Sequence, residues 1–227
     1  MNDVAAGMML LQFGDSFFPS GSVSFSWGLE ELVANGVVMD AETVQAFVVG
    51  QLHSRWAQFD RAVVVLAHRS MENLEAVAAV DDQVEIQTPC AELRSGSRRM
   101  GEGMLAVFAR LGIGDVVPTY RNLIKRGLAY GHVAPMQGLL WGRAGLSERD
   151  VIALSAHTFC TALLGAGLRL GCLTHIDAQR AMLETRHEAS WLAELPLPAI
   201  NELSTYGLQA EIAVMRHGDN PARVFAN

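Results

Sequence analysis

The sequence predicts an all-α protein, a single-domain bundle of roughly eight to ten helices. Three observations predict it. Apolar residues recur at three- and four-residue steps almost throughout, helix-starting residues precede those runs, and no alternating run of β-branched residues is long enough to force a sheet. With 227 residues, half of them hydrophobic, the chain can bury one substantial core. One domain over residues 1–227 is expected, ending in a tail, 217–227, whose Gly218, Asn220 and Pro221 leave it ordered only when something holds it.

The elements follow in order. Helices are predicted over Ala5–Phe13 and Phe25–Asn35, with Pro19 and Gly21 turning the chain between them and Ser24 or Ser26 capping the second. Asp40 caps a long helix reaching Ser70, on which Val44, Phe47, Val48, Leu52, Trp56, Phe59, Val63 and Leu66 form one apolar stripe. A helix over Glu72–Val84 follows, with a fraying turn near Asp81 and Asp82. Thr88-Pro89 opens the next, Pro89 taking the first helical position, and Gly112 closes it. Further helices are predicted at Tyr120–Leu128, Pro135–Gly142, Val151–Leu168, His175–Glu194 and Ala199–Arg216. Phe47, Trp56, Phe59 and Phe108 fall at helical spacing and belong to the core, whereas spacing does not assign Trp27 and Trp141.

Composition excludes several function classes. A formal charge of −7 and a pI near 5.5 would repel a phosphate backbone, so nucleic acid is not an expected partner. Three cysteines and no secretory leader pattern point to a reducing cytoplasm without disulfides. The segment Val151–Leu168 is uncharged, yet Ser155, His157, Thr158 and Thr161 would each need a partner in lipid. Ser147 with Asp150 also starts it as an ordinary helix, so a buried central helix is expected and no membrane.

Motifs for chemistry fail one by one. Gly96 and Gly101 carry the spacing of a phosphate loop, but Glu102 stands where lysine is required. His187-Glu188 opens a zinc-protease helix that Trp191 breaks, and no Gly-x-Ser-x-Gly elbow is present. No catalytic residue and no cofactor are therefore expected; an acid–base role for His132 or His187 is the weaker alternative. A second alternative is metal binding by two pairs at three-residue spacing, His157 with Cys160 and Cys172 with His175. Arg94, Arg98 and Arg99 read as a solvated helix face, with Glu92, Arg94 and Glu102 in exposed pairs, rather than as an anion patch.

The stretch from Leu10-Leu11-Gln12-Phe13-Gly14-Asp15-Ser16 through Pro19-Ser20-Gly21 to Ser26-Trp27-Gly28-Leu29-Glu30 resembles the N-terminal signature of the UreF family. Three further stretches agree with that pattern: Glu92-x-Arg94-x-x-Ser97-x-x-x-Gly101, Gly131-His132-x-x-Pro135 with Gly138, and Gly167-Leu168-Arg169-Leu170-Gly171 with Gln179. The resemblance implies a dimerising helical bundle that binds the accessory protein UreD (also called UreH), recruits the GTPase UreG and docks on apo-urease during nickel insertion. It also implies partner-binding or interior polar roles for Glu30, Arg169 and Gln179, and a contacting tail that begins near His217 and includes Arg223 and Phe225. Ala226 departs from the pattern, standing where the family often has a second arginine. Apart from the resemblance, Arg169 has a simpler role, closing a helix whose C-terminal dipole favours a cation.

Overall fold

The computed structural model describes residues 3–19, 25–205, 207–217 and 224–225, and among them it contains helices and no strand. The α-helices are α1 (Asp3–Gly14), α2 (Leu29–Ala34), α3 (Ala41–Gln51), α4 (Arg61–Arg69), α5 (Leu74–Gln87), α6 (Ala91–Leu111), α7 (Val117–Lys125), α8 (Val133–Arg143), α9 (Glu148–Arg169), α10 (His175–Glu194) and α11 (Leu208–His217). A π-helical segment, Leu52–Asp60, joins α3 to α4, so the rod predicted from Asp40 is continuous but not uniformly α.

Two of the expected caps form. The Asp40 carboxylate accepts from the Thr43 backbone N–H at 3.0 Å, and the Ser147 hydroxyl accepts from the Asp150 N–H at 3.2 Å. Thr174 and Asp177 form a third reciprocal cap at the head of α10. The predicted start of α6 is displaced: Cys90, not Pro89, precedes its first turn, because Thr88 is still the C-cap of α5. Two predicted helices are shorter. Trp27 and Gly28 both have positive φ, 57° and 85°, which delays α2 to Leu29 and leaves its N-cap to Gly28 without a side-chain acceptor, so Ser26 does not cap and Ser24 lies outside the described residues. From Ala199 the chain forms a turn, and α11 starts only at Leu208.

The core has two adjoining parts. In one, Phe59, Val63, Val80, Met104, Phe108, Tyr120, Met136 and Trp141 join the π-helical segment to α4, α5, α6, α7 and α8. In the other, Trp27, Leu29, Val48, Trp56, Cys160, Leu163 and Ala181 join α2, α3, the π-helical segment, α9 and α10. Both tryptophans left unassigned by spacing are therefore buried. Helix α8 approaches α4 so closely that a Cβ on Gly138 would overlap the Val64 carbonyl oxygen. Helix α9 is long and apolar enough to cross a membrane by composition, and half of its most apolar window is buried in the fold.

Two buried ionisable side chains are held largely by main-chain groups. Asp81 is not in a turn; it lies within α5, fully buried. It accepts from Tyr120 Oη at 3.1 Å and from the backbone N–H groups of Tyr130, Gly131 and His132 at 2.7, 2.7 and 2.9 Å. Arg61, on α4, is the counterpart of opposite sign. Its Nη1 donates to the carbonyls of Leu192, Ala193 and Leu195 at 2.6, 2.9 and 3.0 Å, and Nη2 to Pro196 at 3.1 Å, closing the C-terminus of α10.

Candidate partner-binding site

Helix α2 is short, but its placement is tightly set. A Cβ on Gly28 would come within 2.6 Å of the Ala210 carbonyl oxygen, so only glycine lets the head of α2 rest against α11. Trp27 beside it lies under the Arg55 guanidinium, whose Cζ is 4.6 Å from the indole centroid, while Arg55 Nε donates to Asp60 Oδ2 at 3.0 Å. Burial raises the Asp60 carboxyl above its ordinary value, against the opposing pull of Arg55.

The next turn carries Glu30, a buried carboxylate in the first turn of α2. Its two oxygens accept from the backbone N–H groups of Val224 and Phe225 at 2.6 and 3.0 Å. The Phe225 ring is buried, and the Arg169 guanidinium at the end of α9 lies over it, 4.5 Å from the centroid. Arg169 Nε also donates to the Gly165 carbonyl at 3.1 Å, and desolvation lowers its pKa. Three residues that only the resemblance linked, Glu30, Arg169 and Phe225, are thus gathered across 195 residues of sequence. Gln179 is exposed on α10 and shares with Arg169 and His175 a cleft of about 400 Å³, floored by Phe13, Phe18 and Leu168. His217 ends α11 but its side chain, like Arg223, lies outside the described residues.

The two pairs offered as metal ligands do not assemble. His157 turns toward α1, its Nε2 3.2 Å from the Gly14 carbonyl oxygen, whereas Cys160 is buried against α10, where desolvation raises its thiol to about 11. Cys172 lies in the turn beyond α9, its thiol raised by desolvation and by the charge of Asp40, and His175 is exposed at the head of α10. No group of three histidine, cysteine or acidic side chains able to hold a metal occurs among the described residues.

Of the two candidate acid–base groups, His132 is committed to the fold and His187 is exposed. His132 has no exposed surface; its Nε2 lies 2.9 Å from Glu85 Oε2, and burial lowers its pKa despite Asp81 and Glu85. Burial would raise Glu85, but hydrogen bonds from Arg98 and His132 outweigh it and hold the carboxyl below its ordinary value. An ionised Glu85 can only accept, so the neutral ring carries its proton on Nε2. Arg94 and Arg98 both pair with Glu85, and Arg94 Nη1 also donates to the Thr88 carbonyl at 2.6 Å, while Glu102 binds Arg121. The expected exposed pairs along α6 are replaced by bridges to α5 and α7, because α5 presents Glu85 to the arginine face. His187 is exposed on α10, and its neighbour Glu188 binds His53, whose ring lies 6.0 Å from that of Trp191.

The roles of Asp81 and Arg61 carry no sequence motif, since most of their partners are main-chain groups. Comparison with known proteins gives the context. The family profile described as UreF matches residues 38–186. A protein of Trichodesmium erythraeum (strain IMS101) named urease accessory protein UreF is 29% identical over 230 residues, covering 100% of this chain and 99% of its own length. Proteins of the same name from Yersinia pestis (strain Pestoides F) and Yersinia pseudotuberculosis serotype IB (strain PB1/+) are each 26% identical over 221 residues, covering 96% of both chains.

Proposed function

The chain belongs to the UreF family, and we propose that it acts in urease maturation as a scaffold that binds UreD (UreH) and recruits or regulates the GTPase UreG on apo-urease. On this reading it is an accessory protein and not an enzyme, in keeping with relatives named urease accessory protein UreF. In this reading the working form is a homodimer within a cytoplasmic complex, nickel is cargo destined for urease, and the chain carries no resident cofactor.

The observation that carries the reading is the docking of Val224 and Phe225 on Glu30 beneath Arg169. A carboxylate that spends both oxygens on two consecutive backbone N–H groups fixes the course of the peptide, and the arginine over the ring fixes its side chain. Val224 and Phe225 are thereby held beside Arg169, which with Gln179 lines the cleft. Glu30, Arg169, Gln179, His217, Arg223 and Phe225 form the partner-binding region on this reading. Deletion of residues 217–227 is expected to leave the helical circular dichroism intact and to weaken capture of co-expressed UreD and UreG at least tenfold. Undiminished capture would remove the tail from the binding surface, and a full-length chain that captures neither partner would count against the scaffold itself.

A further inference from the structure

Helix α1 is the least satisfied element of the fold. Only Phe13 on it is buried, whereas Val4, Met8 and Leu11 are 76%, 63% and 71% exposed, and Phe17 just beyond it is 86% exposed. Positions 4, 8 and 11 share one helical face. Gly7 beside them has open space where a Cβ would stand, so another backbone can approach there. Large apolar side chains exposed together on one face mark an interaction surface.

Charge selects the occupant. The stripe contains no formal charge from Val4 to Gly14, and acidic groups stand at both of its ends, Asp3 and Asp15. A second copy laid antiparallel along the stripe would set Asp3 of each chain against Asp15 of the other, two like-charge contacts in a chain that already carries −7. A parallel copy would oppose like residues directly. Anionic lipid is disfavoured by the same two carboxylates, since interfacial helices bind such lipid through Lys and Arg.

We infer that α1 is a docking surface for a different protein chain, one presenting an apolar groove with basic residues at its rim. Resting on the accessory-complex reading, this identifies the exposed face of α1, distinct from the tail, as the site for a member of that complex whose contact face carries basic residues. Apolar burial supplies the affinity of the contact, and the flanking carboxylates supply its register and salt dependence.

The test uses the full chain co-expressed with the UreD and UreG homologues of its own source, with Met8→Glu/Leu11→Glu and Asp3→Lys as variants. Both replaced apolar side chains are exposed, so circular dichroism and Tm should match the parent. Expected are loss of capture by at least tenfold for the double variant and weakening by severalfold for Asp3→Lys, most evident at low salt. Capture unchanged in the double variant would overturn the inference while leaving the accessory reading intact. Self-association that the double variant abolishes and Asp3→Lys strengthens, measured by light scattering, would overturn it in favour of a second copy. A parent chain that captures no partner would end both readings together.

Discussion

Asp81 and Glu30 perform the same chemistry in two different settings. Each is a buried carboxylate on a helix that collects successive backbone N–H groups from a segment far away in sequence, three from residues 130–132 in one case and two from residues 224–225 in the other. The segment that Asp81 holds is tied at both ends, between α7 and α8, and Tyr120 adds a fourth donor. The segment that Glu30 holds lies partly at the surface, with Val224 71% exposed. Opening the first joint leaves polar groups stranded in a core, while opening the second returns them to water. One joint belongs to the global fold, and the other can open on its own.

The largest effect should come from the closed joint. Asp81→Ala removes the acceptor for three backbone donors and the Tyr120 hydroxyl and should cost about 3 to 5 kcal/mol; denaturant unfolding measures it. A cost below about 1 kcal/mol would mean that solvent reaches the 130–132 segment after all. Glu30→Gln keeps shape but halves the acceptor capacity, and should change global stability by only about 1 kcal/mol. Hydrogen exchange at Val224 and Phe225 should nonetheless accelerate markedly in that variant. Equal losses of stability at the two positions would erase the distinction between them.

The smallest effect concerns pH. The pKa of His132 is lowered in the fold from its ordinary 6.5, so below pH 6.5 the unfolded chain takes up a proton that the folded chain refuses. Stability is therefore fully present above pH 6.5 and is lost on acidification toward the lower folded value, at no more than about 1.4 kcal/mol per pH unit. The Glu85 carboxyl is lowered as well, and its contribution is lost later, as the pH falls below the ordinary 4.5 toward the folded value. Tm measured between pH 7.5 and 5 should slope downward, and His132→Gln should flatten that slope whatever its effect on Tm itself. A slope unchanged by the substitution would place the proton uptake on another group.

Much of the fold was legible because its determinants are local. Asp40, Ser147 and the three-and-four stripes of the long helices specify their elements within a few residues. What escaped was set by groups distant in sequence. Adjacent aspartates at 81 and 82 look like a turn, and the donors that bury Asp81 are main-chain groups 49 to 51 positions away, which carry no side-chain signature. Arg61 escaped for the same reason, since its acceptors are the main-chain carbonyl oxygens of Leu192, Ala193, Leu195 and Pro196, residues that carry no side-chain signature for a buried cation. Glu30, Arg169 and Phe225 could be grouped through family resemblance alone, because no periodicity relates residues so far apart. The metal reading failed because three-residue spacing brings two side chains to neighbouring, not identical, directions; His157 turns to α1 and Cys160 to α10.

The π-helical segment at Leu52–Asp60 has a consequence for how this rod tolerates change in length. Its wider turns hold more residues than α turns do, so the phase in which α4 leaves the segment depends on how many residues it contains. Arg61 is the first residue beyond it, and its reach to the end of α10 is set by that phase. Conservative substitutions within 52–60 can preserve the aim of the guanidinium, whereas removing a single residue, even an exposed one such as His53, would swing α4 about its axis and point Arg61 away from the carbonyls it closes. In this stretch the number of residues is itself a structural determinant.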